Sequence, residues 1–269
     1  MYKILFIMFQ GSGTNLKDWN EYTESKFLDR LKELGSVYTY QDKIYNIWHY
    51  DKTYPEHADF DKDIDIDLSY VNPDTHIKMV YDDIQSNYNC EEYKFIPIGW
   101  SAGCYLALYF AQIYSAQCIS VILLDSALWT PSNMKIKLID ADDGIYPISN
   151  DEYKNMLQTW KTNQDDITYV DKINNLQHYI RLLFISQHLN LELPVPTLAF
   201  VNFQNPEGNE FSKEFNNTRR MVEVKFLEEY NSDNYKAIIF INKTHYIFNM
   251  IEPAKEIITQ IKSIIYDKQ

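Results

Sequence analysis

The sequence predicts an α/β domain built on a mainly parallel, doubly wound sheet of about six strands. Three observations carry that expectation. Apolar strand-like runs alternate with stretches of helical periodicity along most of the 269 residues. The runs at 3–9 and 94–98 are bunched and apolar, as in strands buried on both faces. A Gly-x-Ser-x-Gly pentapeptide, Gly99 to Gly103, stands at a strand-to-helix junction.

Residues 3–9 begin with Lys3 and continue as Ile4-Leu5-Phe6-Ile7-Met8-Phe9, a first buried strand. The run has the look of a secretory leader, but it is short and lacks a small-residue cleavage site, so it is read as structure and the protein as cytoplasmic. Residues 14–34 contain a helix, with Phe27, Leu28, Leu31 and Leu34 on one face and Gly35 as its stop. Residues 37–40 form a short second strand, and 41–71 are irregular and rich in Tyr and Asp. Asn72-Pro73 opens a helix carrying Ile77, Val80 and Ile84, with proline at a first-turn position where its missing N–H costs nothing.

The strand 94–98 then leads through Ser101 into a helix at 104–114. Leu106, Phe110 and Ile113 recur there at helical spacing, and Ala102, Ala107 and Ala111 are small enough for close packing. Residues 119–124 are the next strand. The segment 126–193 breaks the alternation, with helical patterns near 151–162 and 171–189. Residues 197–201 are a strand, 219–230 a helix and 237–241 the last strand. Glu252-Pro253 opens a terminal helix with Ile257, Ile258, Ile261, Ile264 and Ile265 along one side. In such sheets the ligand site lies beyond the C-terminal ends of the strands.

Composition narrows the function classes. A net charge of −13, spread along the chain, repels phosphate backbones and anionic lipid and argues against nucleic-acid binding or electrostatic membrane docking. No run reaches the length of a membrane span. Cys90, Cys104 and Cys118 are too few, and odd in number, for a disulfide framework, which points to a reducing compartment. Between Asp59 and Asp67 aspartates crowd together, but a calcium loop starting at Asp63 would need glycine where Leu68 stands, and Pro73 falls inside it. A solvated acidic face is the reading kept.

A serine at a tight strand-to-helix turn has its hydroxyl presented outward, and the flanking Gly99 and Gly103 are required because a Cβ there would strike the neighbouring strand or helix. The following helix aims its positive end at the serine, where a developing oxyanion would be held. These are the requirements of nucleophilic chemistry.

Together with the loop Gln10-Gly11-Ser12-Gly13 after the first strand and His245 after the last, the elbow at Ser101 resembles the α/β-hydrolase superfamily. The resemblance covers nearly the whole chain outside 41–71 and 126–193. It implies a core of residues 1–125 and 194–269, with 126–193 as a helical cap over the site. The family's two leading antiparallel strands have no counterpart, so the sheet starts at the family's third strand.

His245, in Asn242-Lys243-Thr244-His245, projects from the same sheet edge as Ser101 and is the base that serine needs. By the family's pattern the oxyanion hole is made by the backbone N–H groups of Ala102 and Ser12, with Gln10 in place of the histidine of the family's His-Gly-x loop. That loop lacks the Gly-Lys-Ser/Thr of a phosphate-binding loop and the third glycine of a dinucleotide fingerprint. The family carries its acid after the penultimate strand, where this chain has no aspartate between Asn202 and Glu210. Glu207 is the first candidate, Asp125 at the end of strand 121–124 the second, and Asn205 a neutral partner for His245.

The resemblance implies a serine hydrolase that cleaves a small-molecule carboxylic ester or thioester through an acyl-enzyme on Ser101, with no metal and no cofactor. The alternative is a hydrolase-fold protein that binds a ligand or partner without turnover, which the replaced loop histidine and the missing aspartate would suit. Retention of both Ser101 and His245 speaks against it.

Overall fold

The computed structural model describes residues 2–11, 19, 24–39, 73–101, 103–126, 193–204, 217, 220–221, 224–225, 227–228, 231 and 233–268. Their strands are β1 (Lys3–Phe9), β2 (Ser36–Thr39), β3 (Tyr93–Trp100), β4 (Val121–Leu124), β5 (Thr197–Phe203) and β6 (Tyr235–Ile241). They form one six-stranded sheet in the order β2-β1-β3-β4-β5-β6, and every neighbouring pair is parallel. The mainly parallel, doubly wound sheet expected from the alternation is therefore present, fully parallel among the described residues.

The inner strands β1, β3, β4 and β5 are buried on both faces because helices cover both. On one face α2 (Pro73–Asn87) sets Ile77, Val80 and Ile84, and α3 (Gly103–Ile113) sets Leu106, Ala107 and Phe110, against Leu5, Ile7, Phe9, Phe95, Leu123, Ala199 and Val201. On the other, α1 (Phe27–Lys32) and α4 (Ile251–Lys268) bring Phe27, Leu31, Ile257, Ile258, Ile261 and Ile265 against Ile4, Phe6, Met8, Ile98, Leu124 and Phe200. The period of two along β1 and β5 splits these clusters cleanly between faces. Each fully buried aliphatic or aromatic side chain contributes about 1.5–3 kcal/mol against the entropy of ordering it.

Two expectations are refined. The first helix is short, covering Phe27–Lys32, and Leu34 lies beyond it, partly buried, while Gly35 donates its N–H to the Leu31 carbonyl at 3.1 Å and closes the turn. Ile113, which shares the helical spacing of Leu106 and Phe110, is exposed, whereas residues 103–111 of α3 are buried all round. The helix is enclosed instead of half-exposed, so periodicity could not orient it.

The chain leaves β1 toward β2 on one side and returns past it to β3 on the other. The order in which strands are added reverses between β1 and β3, and the crevice outside their carboxyl ends is the place where such sheets hold ligands. Gly11 and Ser101 stand at that place.

Candidate active site

Ser101 follows β3 directly and precedes α3, with φ at 52°, in the left-handed region. A non-glycine residue there carries roughly 1–3 kcal/mol of strain, which the surroundings must hold. Its N–H donates to the Leu124 carbonyl at 3.1 Å, and its own carbonyl accepts from the Cys104 N–H at 3.1 Å, opening α3. A Cβ on Gly99 would come within 2.5 Å of Cys104 Cα, and one on Gly103 would overlap the carbonyl oxygens of Phe9 and Gln10. The two glycines thus let strand, turn and helix cross at backbone contact. A Cβ on Gly11 would lie 3.1 Å from Ser101 Cβ, which sets the loop after β1 beside the serine.

The same backbone turn ends the next three strands. Asp125 after β4, Gln204 after β5 and Asn242 after β6 have φ of 44°, 55° and 57°. Because the strands are parallel, all four turns lie at the same end of the sheet.

Asp125 is fully buried. Its N–H donates to the Phe200 carbonyl at 2.7 Å. Its Oδ2 lies 2.5 Å from His245 Nδ1 and 2.8 Å from Arg220 Nη2, and its Oδ1 accepts the Asn202 N–H at 3.0 Å. Against an ionised carboxylate, which only accepts, the imidazole would carry its proton on Nδ1 and leave Nε2 as an acceptor. The His245 side chain is 28% exposed, so the ring is reachable from the side away from Asp125.

The His245 loop is gripped twice more. Asn202, at a buried position near the end of β5, accepts from the Lys243 N–H at 3.0 Å through Oδ1 and donates through Nδ2 to the Lys243 carbonyl. Trp100, the residue before Ser101, donates its indole N–H to the His245 carbonyl at 3.1 Å, with the two rings 5.2 Å apart. Backbone and side-chain hydrogen bonds thus tie the ends of β3, β4 and β5 to one loop.

Of the residues singled out in the sequence, Ser101, Asp125 and His245 come to one sheet edge, and Asp125 bonds His245. Ser12, Ala102, Asn205 and Glu207 lie outside the described residues, as do the acidic run at 59–67 and all but the ends of the segment 126–193. Among the described residues no group of three or more His, Cys, Asp or Glu is placed to hold a metal ion, and no helix is long and apolar enough to cross a membrane. Sequence reasoning missed Arg220 and the clasp formed by Asn202. Both left a signal: a charged residue in line with Val224 and Leu227 on a helix, and an amide in line with Leu198 and Phe200 on a strand.

No protein-family model matches the chain, and no characterised protein sequence matches it. Solved structures do. The RedJ thioesterase of prodiginine biosynthesis from Streptomyces coelicolor superposes with a TM-score of 0.52 at 13% identity, over 98% of this chain and 91% of that one. A structure from the metagenome-derived lipolytic enzymes LipS and LipT reaches 0.56 at 11% identity, covering 99% and 94%. The mouse alpha/beta hydrolase domain-containing protein 10 gives 0.52 at 12% identity, covering 98% and 90%. At such identity it is architecture that is shared, and the chain has the α/β-hydrolase fold.

Proposed function

We propose that this protein is a serine hydrolase of small carboxylic esters or thioesters, acting through an acyl-enzyme on Ser101. The observation that carries the reading is the contact of 2.5 Å between Asp125 Oδ2 and His245 Nδ1, on the sheet edge where Ser101 is held at a φ of 52°. A packing role calls for neither the strained serine nor the buried carboxylate facing an imidazole. The fold neighbours include proteins described as a thioesterase and as lipolytic enzymes, which agrees with this class of substrate.

In the proposed reaction Ser101 Oγ attacks the carbonyl carbon while His245 Nε2 accepts the hydroxyl proton. Asp125 holds the Nδ1–H tautomer and offsets the charge of the imidazolium. The backbone N–H groups of Ala102 and Ser12 take the oxyanion, with the N-terminus of α3 behind Ala102. Collapse of the tetrahedral intermediate expels the alcohol or thiol, which leaves with the proton from His245. Water then attacks the acyl group with His245 again as base, and the carboxylic acid departs as Ser101 regains its proton. Residues 126–193 are proposed as a cap over this edge.

A fluorophosphonate probe tests the reading, since it reacts only with an activated serine. Rapid labelling abolished by Ser101→Ala and by His245→Ala is expected. A folded protein that stays unlabelled and hydrolyses no simple ester would sink it. The competing reading, a ligand-binding protein on the same scaffold, draws on Gln10, whose Oε1 is buried without a hydrogen-bond partner where the family's loop histidine would stand.

A further inference from the structure

Arg220 is a buried cation placed on the acid of the site. Its side chain is 5% exposed, and Nη2 lies 2.8 Å from Asp125 Oδ2, the oxygen that also meets His245 Nδ1. A carboxylate removed from water is tolerated when a counter-charge and hydrogen bonds replace its hydration. Asn202 holds Oδ1 through its N–H and Arg220 holds Oδ2, so the carboxylate plane is pinned at both oxygens.

The guanidinium stands where an apolar side chain would serve packing better. The described residues between 217 and 228 are helical, and Arg220, Val224 and Leu227 share a buried stripe at spacings of four and three. Arg220 Nε is buried there without a hydrogen-bond partner. An orphaned donor costs stability, so packing does not account for arginine at this position. Control of Asp125 does.

We infer that Arg220 is a positioning residue that holds Asp125 as a buried carboxylate with Oδ2 aimed at His245 Nδ1. The inference rests on the reading of Ser101, His245 and Asp125 as hydrolytic machinery. Arg220 itself acts through Asp125.

Arg220→Met, which removes the charge and keeps most of the volume, tests it. Labelling of Ser101 by the fluorophosphonate should slow by roughly 10²-fold, the scale set by a misplaced catalytic group. For a nitrophenyl ester, kcat should fall with KM little changed. Added to Asp125→Asn, the substitution should slow the reaction no further. The Nδ1 proton of His245, read as a downfield proton resonance, should shift or broaden in Arg220→Met. Parent-like labelling with an unmoved resonance would overturn the inference and leave the hydrolase reading standing. If the parent protein is itself unlabelled, the hydrolase reading fails, and the resonance still decides whether Arg220 orients Asp125 on His245. Should Arg220→Met not fold by circular dichroism, Arg220→Gln, which also removes the charge, carries the same comparisons.

Discussion

The indole N–H of Trp100 donates to the carbonyl oxygen of His245 at 3.1 Å, so the residue before Ser101 holds the loop that carries the imidazole. Trp100 is itself fixed by rings on its other sides: Phe248 at 5.2 Å, Tyr246 at 4.6 Å and Trp19 at 6.2 Å. The variable position of the pentapeptide thus links the turn at Ser101 to the His245 loop through an aromatic cluster.

Trp100→Phe keeps the aromatic packing and deletes the donor. Loss of one hydrogen bond costs about 1 kcal/mol, and if all of it is felt in the transition state the rate falls about fivefold. Fluorophosphonate labelling and a thermal melt measure the two effects. A variant that melts lower but labels at the parent rate would show that other contacts place His245.

Asp125→Asn leaves a neutral amide among three donors, His245, Arg220 and the Asn202 N–H. Breaking a buried pair typically costs about 3–5 kcal/mol, because the remaining charge is stranded, here Arg220. Loss of the tautomer control on an imidazole lowers kcat by up to about 10⁴-fold. Denaturant unfolding and single-turnover labelling should show both losses, and Glu207→Gln should show neither. Normal labelling by Asp125→Asn with loss in Glu207→Gln would transfer the acid's role to Glu207.

Those two carboxylates show how far the sequence could be read. Ser101 and His245 were legible because their positions follow from strand order: one ends an inner strand, the other follows the last strand, and parallel strands bring both to one edge. Asp125 was harder to rank. Its contact with His245 spans 120 positions of the chain, and nothing local distinguishes a carboxylate that ends a strand from a helix cap. The six strands were visible as apolar runs, while the orientation of α3 was not, because a helix buried on all sides has no polar face to mark its exterior. Arg220 shows the same limit in reverse, since a lone charge on an apolar stripe gains meaning once its partner is known.

Thiol chemistry offers a check on the core that does not depend on activity. Cys104 and Cys118 are buried, and burial pushes the Cys118 thiol well above its ordinary range. Burial also raises the Cys90 thiol, but that residue is only half-buried. Since the thiolate is the reactive form, an aromatic disulfide reagent at mildly alkaline pH should modify Cys90 slowly, and the other two only after denaturant is added. Cys90→Ser should remove the reaction of the native protein. Fast modification of Cys118 in the folded state would mean that the turn between α3 and β4 opens far more often than its packing implies.

The helix pair on the α2–α3 face gives a pH prediction with a defined sign. Tyr109 of α3 donates to Asp74 of α2. Burial first, and then the hydrogen bond and the charge of Asp74, push the Tyr109 phenol from an ordinary 10.0 up to about 12. The neutral phenol is the form the fold favours, and its pKa is higher folded than unfolded. Its contribution is therefore complete below about pH 10 and lost as pH rises through the interval from 10.0 to about 12. Tyr109→Phe should cost about 1.5–3 kcal/mol at neutral pH, the range for a hydrogen bond to a charged group. The variant should also lack the part of the alkaline loss that this titration causes. Urea unfolding of both proteins at neutral pH and at successive steps of that interval measures this. Convergence of the two stabilities at the alkaline end supports the assignment, and a constant gap across it would mean that Tyr109 keeps its proton or that Asp74 is not its partner in solution.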